Sequence, residues 1–170
     1  PTWQSGAPSL ALRPMDFITG APVCGPPWCL HLSHLHPPWP DIAPEPYAST
    51  YAPSDGQPAI RSEGERDNAH PVFAAYMDMR YSKNMSRDEA REKVIPTYMG
   101  LIKQIDDQMG VLMGFLEARG LPESTSIVFP SDHGDSPADH WMVDKDQSPD
   151  APAQIPLLVT GPYSSSTAPP

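Results

Sequence analysis

The residues with the most chemistry in this chain fall in one short stretch. Ser131-Asp132-His133-Gly134-Asp135 follows an apolar, β-branched run, Thr125-Ser126-Ile127-Val128-Phe129, almost directly. Carboxylate oxygen suits hard cations and imidazole suits borderline ones, so Asp132 and His133 form a candidate ligand pair for a divalent metal. Gly134 lets the backbone turn sharply behind them. The same residues also suit a plain polar turn in which Asp132 caps a neighbouring amide. Acidity continues downstream: six Asp lie between Asp132 and Asp150, and residues 121–170 hold seven acids against one base, Lys145. Such a run is either a solvated loop or, beside His133 and His140, charge that gathers a cation.

Elements that could present this stretch are readable from the prolines. Of 24 Pro, only Pro96 lies between Val72 and Leu121, so the chain reads as a loop-rich N-terminal part, a helical centre, then strand and loop. In the centre, Ser86-Arg87-Asp88-Glu89 fits a capping box. Apolar residues recur at 98, 101, 102, 105, 109, 112, 113 and 116, the spacing of one helix face. Gly120 is a C-terminal stop with Pro122 just beyond. Pro96 is expected to kink this helix or divide it, and an earlier helix is expected over about 71–81. Strands are expected at Trp28-Cys29-Leu30-His31-Leu32-Ser33, at 125–129 and at Ile155-Pro156-Leu157-Leu158-Val159. This order suggests an α/β layered fold, in which ligands sit past the carboxyl ends of strands, where Asp132 and His133 stand.

Composition narrows the function class. With 11 Gly, Pro plus Gly make roughly a fifth of the 170 residues, against a usual share of about 12%. That argues against an all-helical bundle. An apolar share of 39%, with four Trp, six Tyr and four Phe, argues against full disorder. A net charge of −10 disfavours binding to nucleic acid. No apolar run is long enough for a membrane span, and no signal peptide is visible. Cys24 and Cys29 make neither a zinc site nor a disulfide framework, which sets a cytoplasmic default.

Taken together, several segments resemble the sulfatase family. Ser131-Asp132-His133-Gly134-Asp135, then Asp139-His140-Trp141, then Lys145-Asp146, is similar to that family's S-D-H-G-D…G-D-H…K segment. Ile105-Asp106-Asp107-Gln108-Met109-Gly110 and Leu116-Glu117-Ala118-Arg119-Gly120-Leu121 resemble the preceding helix. Tyr98-Met99-Gly100-Leu101-Ile102-Lys103-Gln104, the Trp28 segment and Pro44-Glu45-Pro46-Tyr47 resemble the phosphonate monoester hydrolase and arylsulfatase branch. The likeness covers roughly residues 15–160. It implies part of an alkaline-phosphatase-like α/β/α sandwich with a mostly parallel sheet, over residues 1–163, and a disordered tail over 164–170. It also implies that Asp132 and His133 are two ligands of one divalent cation of the calcium or manganese type. Lys145, twelve residues past His133, is then expected to contact the charged group of a small sulfate or phosphonate ester. His140 is expected beside it, and Asp135 in support of the metal ligands.

Three departures from the family pattern shape the expectation. No Asp pair precedes the Trp28 strand to supply two further ligands, and Asp106-Asp107 belongs to the helix motif instead. Cys24-Gly25-Pro26-Pro27-Trp28 has the Cys and Pro of the nucleophile motif C/S-x-P-x-R but lacks the Arg, so it reads as a chance likeness. Where the family has K-P-H, this chain has His36-Pro37-Pro38, leaving His36 as the side chain that could exchange a proton at neutral pH. The expectation is an interior piece of a metal-dependent ester hydrolase, inactive alone. The alternative is a truncated or decayed, non-enzymatic relative with weak cation binding. A third possibility is a plain calcium-binding or interaction module, resting on the acidic loop.

Overall fold

The computed structural model describes residues 7–21, 26–34, 37, 41–143 and 155–162. They form helices α1 (Ala7–Gly20), α2 (Glu63–Asp67), α3 (Pro71–Asp78), α4 (Arg80–Met85) and α5 (Asp88–Ala118), and strands β1 (Ile127–Pro130) and β2 (Leu157–Thr160). By contacts, the chain divides into two compact units. One comprises residues 1–36, 103–129 and 157–170, the other 37–102 and 130–156.

The central helix runs further than its proline suggests. In place of a division, α5 is one helix of 31 residues with Pro96 inside it. Proline removes one amide donor and crowds one carbonyl; here a long run of helix on both sides outweighs that local cost. The start also differs from the sequence reading. Ser86 closes α4, its amide bonding to the Ser82 carbonyl at 2.9 Å, and the Arg87 carbonyl accepts the first amides of α5 from Ala90 and Arg91. A reciprocal capping box does occur at Ser62, whose amide donates to Glu65 Oε1 at 3.1 Å ahead of α2. The end of α5 follows expectation. Gly120 takes φ +66°, and the Leu121 and Gly120 amides bond back to the Leu116 and Glu117 carbonyls, a Schellman closure.

In the first unit, α1 lies in a flank read from its prolines as loop. Pro8 falls in the first turn, where its missing donor is harmless. Pro14 and Ile18, one turn apart, are both buried and give the helix its packed face. Phe17 meets Trp28 edge to face, with centroids 6.3 Å apart. Residues 28–33, expected as a strand, make no ladder with the described residues. Strand identity requires a paired neighbour, which apolar composition alone does not supply. The described sheet therefore has two strands, β1 and β2, where three were expected. Leu157, Leu158 and Val159 on β2 are all exposed.

The second unit carries the site. Its core is Met77, Ile95, Leu101, Met142 and Val143, with Ala138 and Ser136 buried in the loop after β1. Gly100 of α5 sits against the backbone of the turn Tyr47–Ser49, and a Cβ there would lie 2.2 Å from the Tyr47 carbonyl oxygen. This close approach fixes how α5 lies against that turn. Among the described residues, no helix is long and apolar enough to cross a membrane.

Candidate functional site

The sequence places Asp132 and His133 one and two residues after Ser131, at the exit of β1, and local hydrogen bonds set their geometry. Ser131 Oγ donates to the His133 carbonyl at 2.6 Å, and the His133 amide donates to Asp132 Oδ1 at 3.0 Å. His133 Nδ1 lies 2.7 Å from the Gly134 carbonyl oxygen. A carbonyl can only accept, so Nδ1 carries a proton, and in the neutral ring the lone pair is on Nε2. That lone pair sits on the nitrogen nearest the other carboxylate oxygen: Nε2 is 3.6 Å from Asp132 Oδ2. Two donors roughly 2.0–2.4 Å from one cation, at near-right angles or a little wider, are roughly 3–3.7 Å apart. The donor pair therefore fits a shared divalent cation, with the histidine tautomer already set by its backbone partner. Asp132 is largely exposed and His133 half-buried, so solvent has access to both donors.

Behind the pair, the loop is fastened to residues 60–66. The His140 amide donates to the Ile60 carbonyl and the Ile60 amide to Asp139 Oδ1, both at 2.8 Å. Trp141 Nε1 donates to the Ser62 carbonyl at 2.8 Å. His140 Nδ1 lies 3.2 Å from Glu65 Oε2, so the nitrogen is the donor and the carboxylate anchors the ring. The Arg61 guanidinium lies 4.2 Å and that of Arg66 4.9 Å from the Trp141 ring centroid. Arg61 also bonds the Ser86 carbonyl and Asp88, and reaches the Ala138 carbonyl at 3.5 Å. Arg91 Nε holds the Pro137 carbonyl at 3.3 Å. These donors meet a loop whose backbone is strained: Ala138, His140 and Trp141 have φ of +76°, +52° and +61°. Such residues cost about 1–3 kcal/mol each and persist only where surroundings over-determine them.

Of the expected site residues, the structure places Asp132 and His133 together and seats His140 against Glu65. Asp135 turns inward, Oδ1 accepting from the Ser136 amide at 2.9 Å. His36 and Lys145 lie outside the described residues. Asp106 and Asp107 lie on α5 with Lys103 between their carboxylates, which raise its pKa, Asp107 foremost; they are helix-surface groups, as the motif implied. Sequence reasoning missed Arg61 and Glu65. The Ser62–Glu65 capping box was there to be found, but nothing in the spacing shows that it faces a loop some 75 residues later.

Close to the loop, Tyr98 of α5 is half-buried beside Asp135 and Asp41. Burial, and then those two carboxylates, push its pKa up to about 12 from 10.0. The sign follows: a folded pKa above the unfolded one favours the folded state fully below about pH 10. That contribution is lost as pH rises from about 10 to 12. Replacing Tyr98 with Phe is expected to remove this alkaline slope from the stability profile, and the tyrosinate absorbance to lose its latest-titrating component. A Tyr98→Phe profile that falls as steeply over that range as the wild type would contradict this.

The family model described as Sulfatase matches residues 16–168. The chain belongs to the sulfatase family. Among its relatives in that family is the multifunctional alkaline phosphatase superfamily protein PehA of Trinickia caryophylli, 31% identical, with 86% of this chain and 30% of the relative aligned. The choline-sulfatase of Rhizobium meliloti is 25% identical over 80% of this chain and 27% of its own length. Two solved structures are similar. The phosphonate monoester hydrolase of Agrobacterium radiobacter has a TM-score of 0.82 at 27% identity, covering 92% of this chain and 33% of that one. The phosphonate monoester hydrolase of Silicibacter pomeroyi has a TM-score of 0.77 at 28% identity, covering 91% and 33%. These likenesses bear out the expected fold class, part of an alkaline-phosphatase-like α/β fold. The sulfatase-family chain described here spans about a third of the length of the relatives it matches.

Proposed function

We propose that this chain is a segment of a metal-dependent hydrolase of sulfuric or phosphoric (phosphonate) esters, in which Asp132 and His133 hold one divalent cation. The observation that carries the proposal is the 3.6 Å separation of Asp132 Oδ2 and His133 Nε2, with Nδ1 already committed to the Gly134 carbonyl. Once bound, a cation of the calcium or manganese type would offset charge on the ester oxygens. The chain's own residues supply the rest. Asp132 brings one oxygen to the cation while its other accepts the His133 amide, which keeps the carboxylate from swinging away. Glu65 and Arg61 hold the His140–Trp141 end of the loop. On the family pattern, Lys145 and His140 face the charged group of a small sulfate or phosphonate ester, and His36 exchanges the proton.

This chain alone is expected to be inactive, because its sequence offers no complete C/S-x-P-x-R nucleophile and two protein ligands leave most of a cation's shell to water. The experiment is a Mn²⁺ titration followed by NMR, with turnover of an aryl sulfate and a phosphonate ester assayed alongside. Manganese is expected to broaden the His133 ring resonances at about millimolar concentration. Asp132→Ala is expected to abolish the broadening, and neither ester is expected to turn over. His133 resonances that stay sharp, or broaden equally in Asp132→Ala, would refute the metal assignment. Robust turnover abolished by Asp132→Ala would refute the inactivity.

A further inference from the structure

The sheet of the first unit leaves much of its apolar surface open. Leu157, Leu158 and Val159 follow one another on β2 and are 62%, 64% and 55% exposed. Successive side chains of a strand point to opposite faces, so both faces of β2 are apolar and open. On β1, Ile127 and Phe129 are half-buried, while Val128 between them is exposed. Strands that are apolar on both sides belong inside α/β sheets, with a layer packed on each face. Among the described residues each of the two strands pairs along one edge only, and an isolated pair of strands is marginally stable in water. From Leu157 to Thr160, β2 carries no charge and no proline, the devices that keep a bare edge from pairing. The unit buries little in return: its buried apolar side chains, among the described residues, are Pro14, Ile18 and Leu116.

We propose that this sheet is a docking surface for the part of a sulfatase-type fold that these 170 residues do not contain, a chain segment that adds strands beside β1 and β2 and an apolar layer over each open face. The size of the similar structures points to that occupant. In the phosphonate monoester hydrolase of Agrobacterium radiobacter the same backbone, at a TM-score of 0.82, makes up 33% of the chain, which leaves about two thirds of that chain to cover it. A second copy of this chain fits the surface less well. It would bring a net charge of −10 against another of −10, and a symmetric pair formed on one face of β2 would leave the other face open. The proposal rests on the reading of the chain as a segment of a larger hydrolase, and not on Asp132 and His133 holding a cation.

The test uses the full chain, affinity-tagged and co-expressed with the Agrobacterium radiobacter hydrolase from which the matched third has been deleted. The Silicibacter pomeroyi protein, cut in the same way, serves as an independent partner. Chelator is present throughout, so the outcome is separate from that of the Mn²⁺ titration. Each partner is expected to co-purify one to one with the chain, and the β2 amides to exchange more slowly in the complex than in the chain alone. Leu157→Lys and Leu158→Lys each place a charge on one face of β2. Each should weaken both complexes about tenfold or more, because the charge would be buried unpaired. Both positions are exposed in the chain alone, so its far-UV dichroism should not change. Val72→Lys, also at an exposed position but on α3 in the other unit, should bind as wild type does. No complex with either partner would overturn the proposal, as would complexes that survive both β2 substitutions or are lost equally in Val72→Lys. A chain that sediments alone as a dimer, and as a monomer in either β2 variant, would assign the surface to a second copy and overturn it too.

Discussion

Replacing Arg61 with Ala is expected to lower the unfolding free energy by about 3 kcal/mol, read from urea denaturation. The Arg61 side chain is only 9% exposed, and it donates into the carbonyls of Ser86 and Ala138, both themselves buried. Truncation leaves those acceptors without this donor, at about 1–3 kcal/mol each, and removes a cation stacked on Trp141 worth about 0.5–1 kcal/mol. The ion pair with Asp88 contributes little to this sum, because Asp88 is 80% exposed and water screens it. Asp88→Ala is therefore expected to change stability by less than about 0.5 kcal/mol. Arg61→Lys should recover less than half of the loss, since an ammonium cannot present the planar fork or stack as a guanidinium does. A loss below about 1 kcal/mol for Arg61→Ala, or an equal one for Asp88→Ala, would show that the loop is held by something else. Against a usual total of about 5–15 kcal/mol, the loss of Arg61 removes much of the margin.

Gly100→Ala is expected to be the next most damaging, with opposite signs along one helix serving as the control. In an unobstructed helix, Gly to Ala gains about 1 kcal/mol. At position 100 the new methyl would stand 2.2 Å from the Tyr47 carbonyl oxygen, a backbone atom in a turn that cannot rotate away as a side chain does. Overpacking of this kind costs about 1–3 kcal/mol or more. Since the obstacle is backbone, the upper end applies, and a net loss of about 2 kcal/mol is expected. Gly110 and Gly114 lie on the same helix with nothing within 4 Å of where a Cβ would stand, so Ala there should stabilise by about 0.5–1 kcal/mol each. Calorimetric melting of the three variants checks the contrast. A Gly100→Ala protein that melts above the wild type would show that α5 does not lie against residues 47–49.

The parts of this molecule that local chemistry determines were legible in its sequence. The α5 stop at Gly120 is one such part, because a positive-φ glycine followed by Pro122 acts within one turn. The 125–129 and 155–159 segments were legible because β-branched runs between turn residues leave few alternatives, and they appear as β1 and β2 with small shifts. That Asp132 and His133 lie side by side was legible because they are adjacent in the chain and share one turn. The failures came where partners are distant. Trp28–Ser33 has a strand's composition but no ladder. Pro96 was weighed by its local cost, while the length of helix on either side decided the outcome. The α1 helix was hidden because prolines were counted by region, although Pro8 and Pro14 each sit where a helix tolerates or buries them. Arg61 carried no signal and Glu65 only that of a capping box, since their roles at the site depend on a loop some 75 residues away.

That distance has a consequence for how the molecule assembles. The reciprocal bonds between Ile60 and the Asp139–His140 segment join positions 79 residues apart. Bringing such a span together costs about 4 kcal/mol of chain entropy from the length-dependent term alone. No single hydrogen bond in the contact offsets that, at about 1 kcal/mol each. The bonds from residues 60–62, the Glu65 anchor and the stacked guanidinium must therefore form as a set. The loop that presents Asp132 and His133 is then either fastened along its whole return or released along all of it, a cooperative latch. Its first half, on leaving the ribosome, waits for roughly eighty residues of later synthesis before it has anything to close upon.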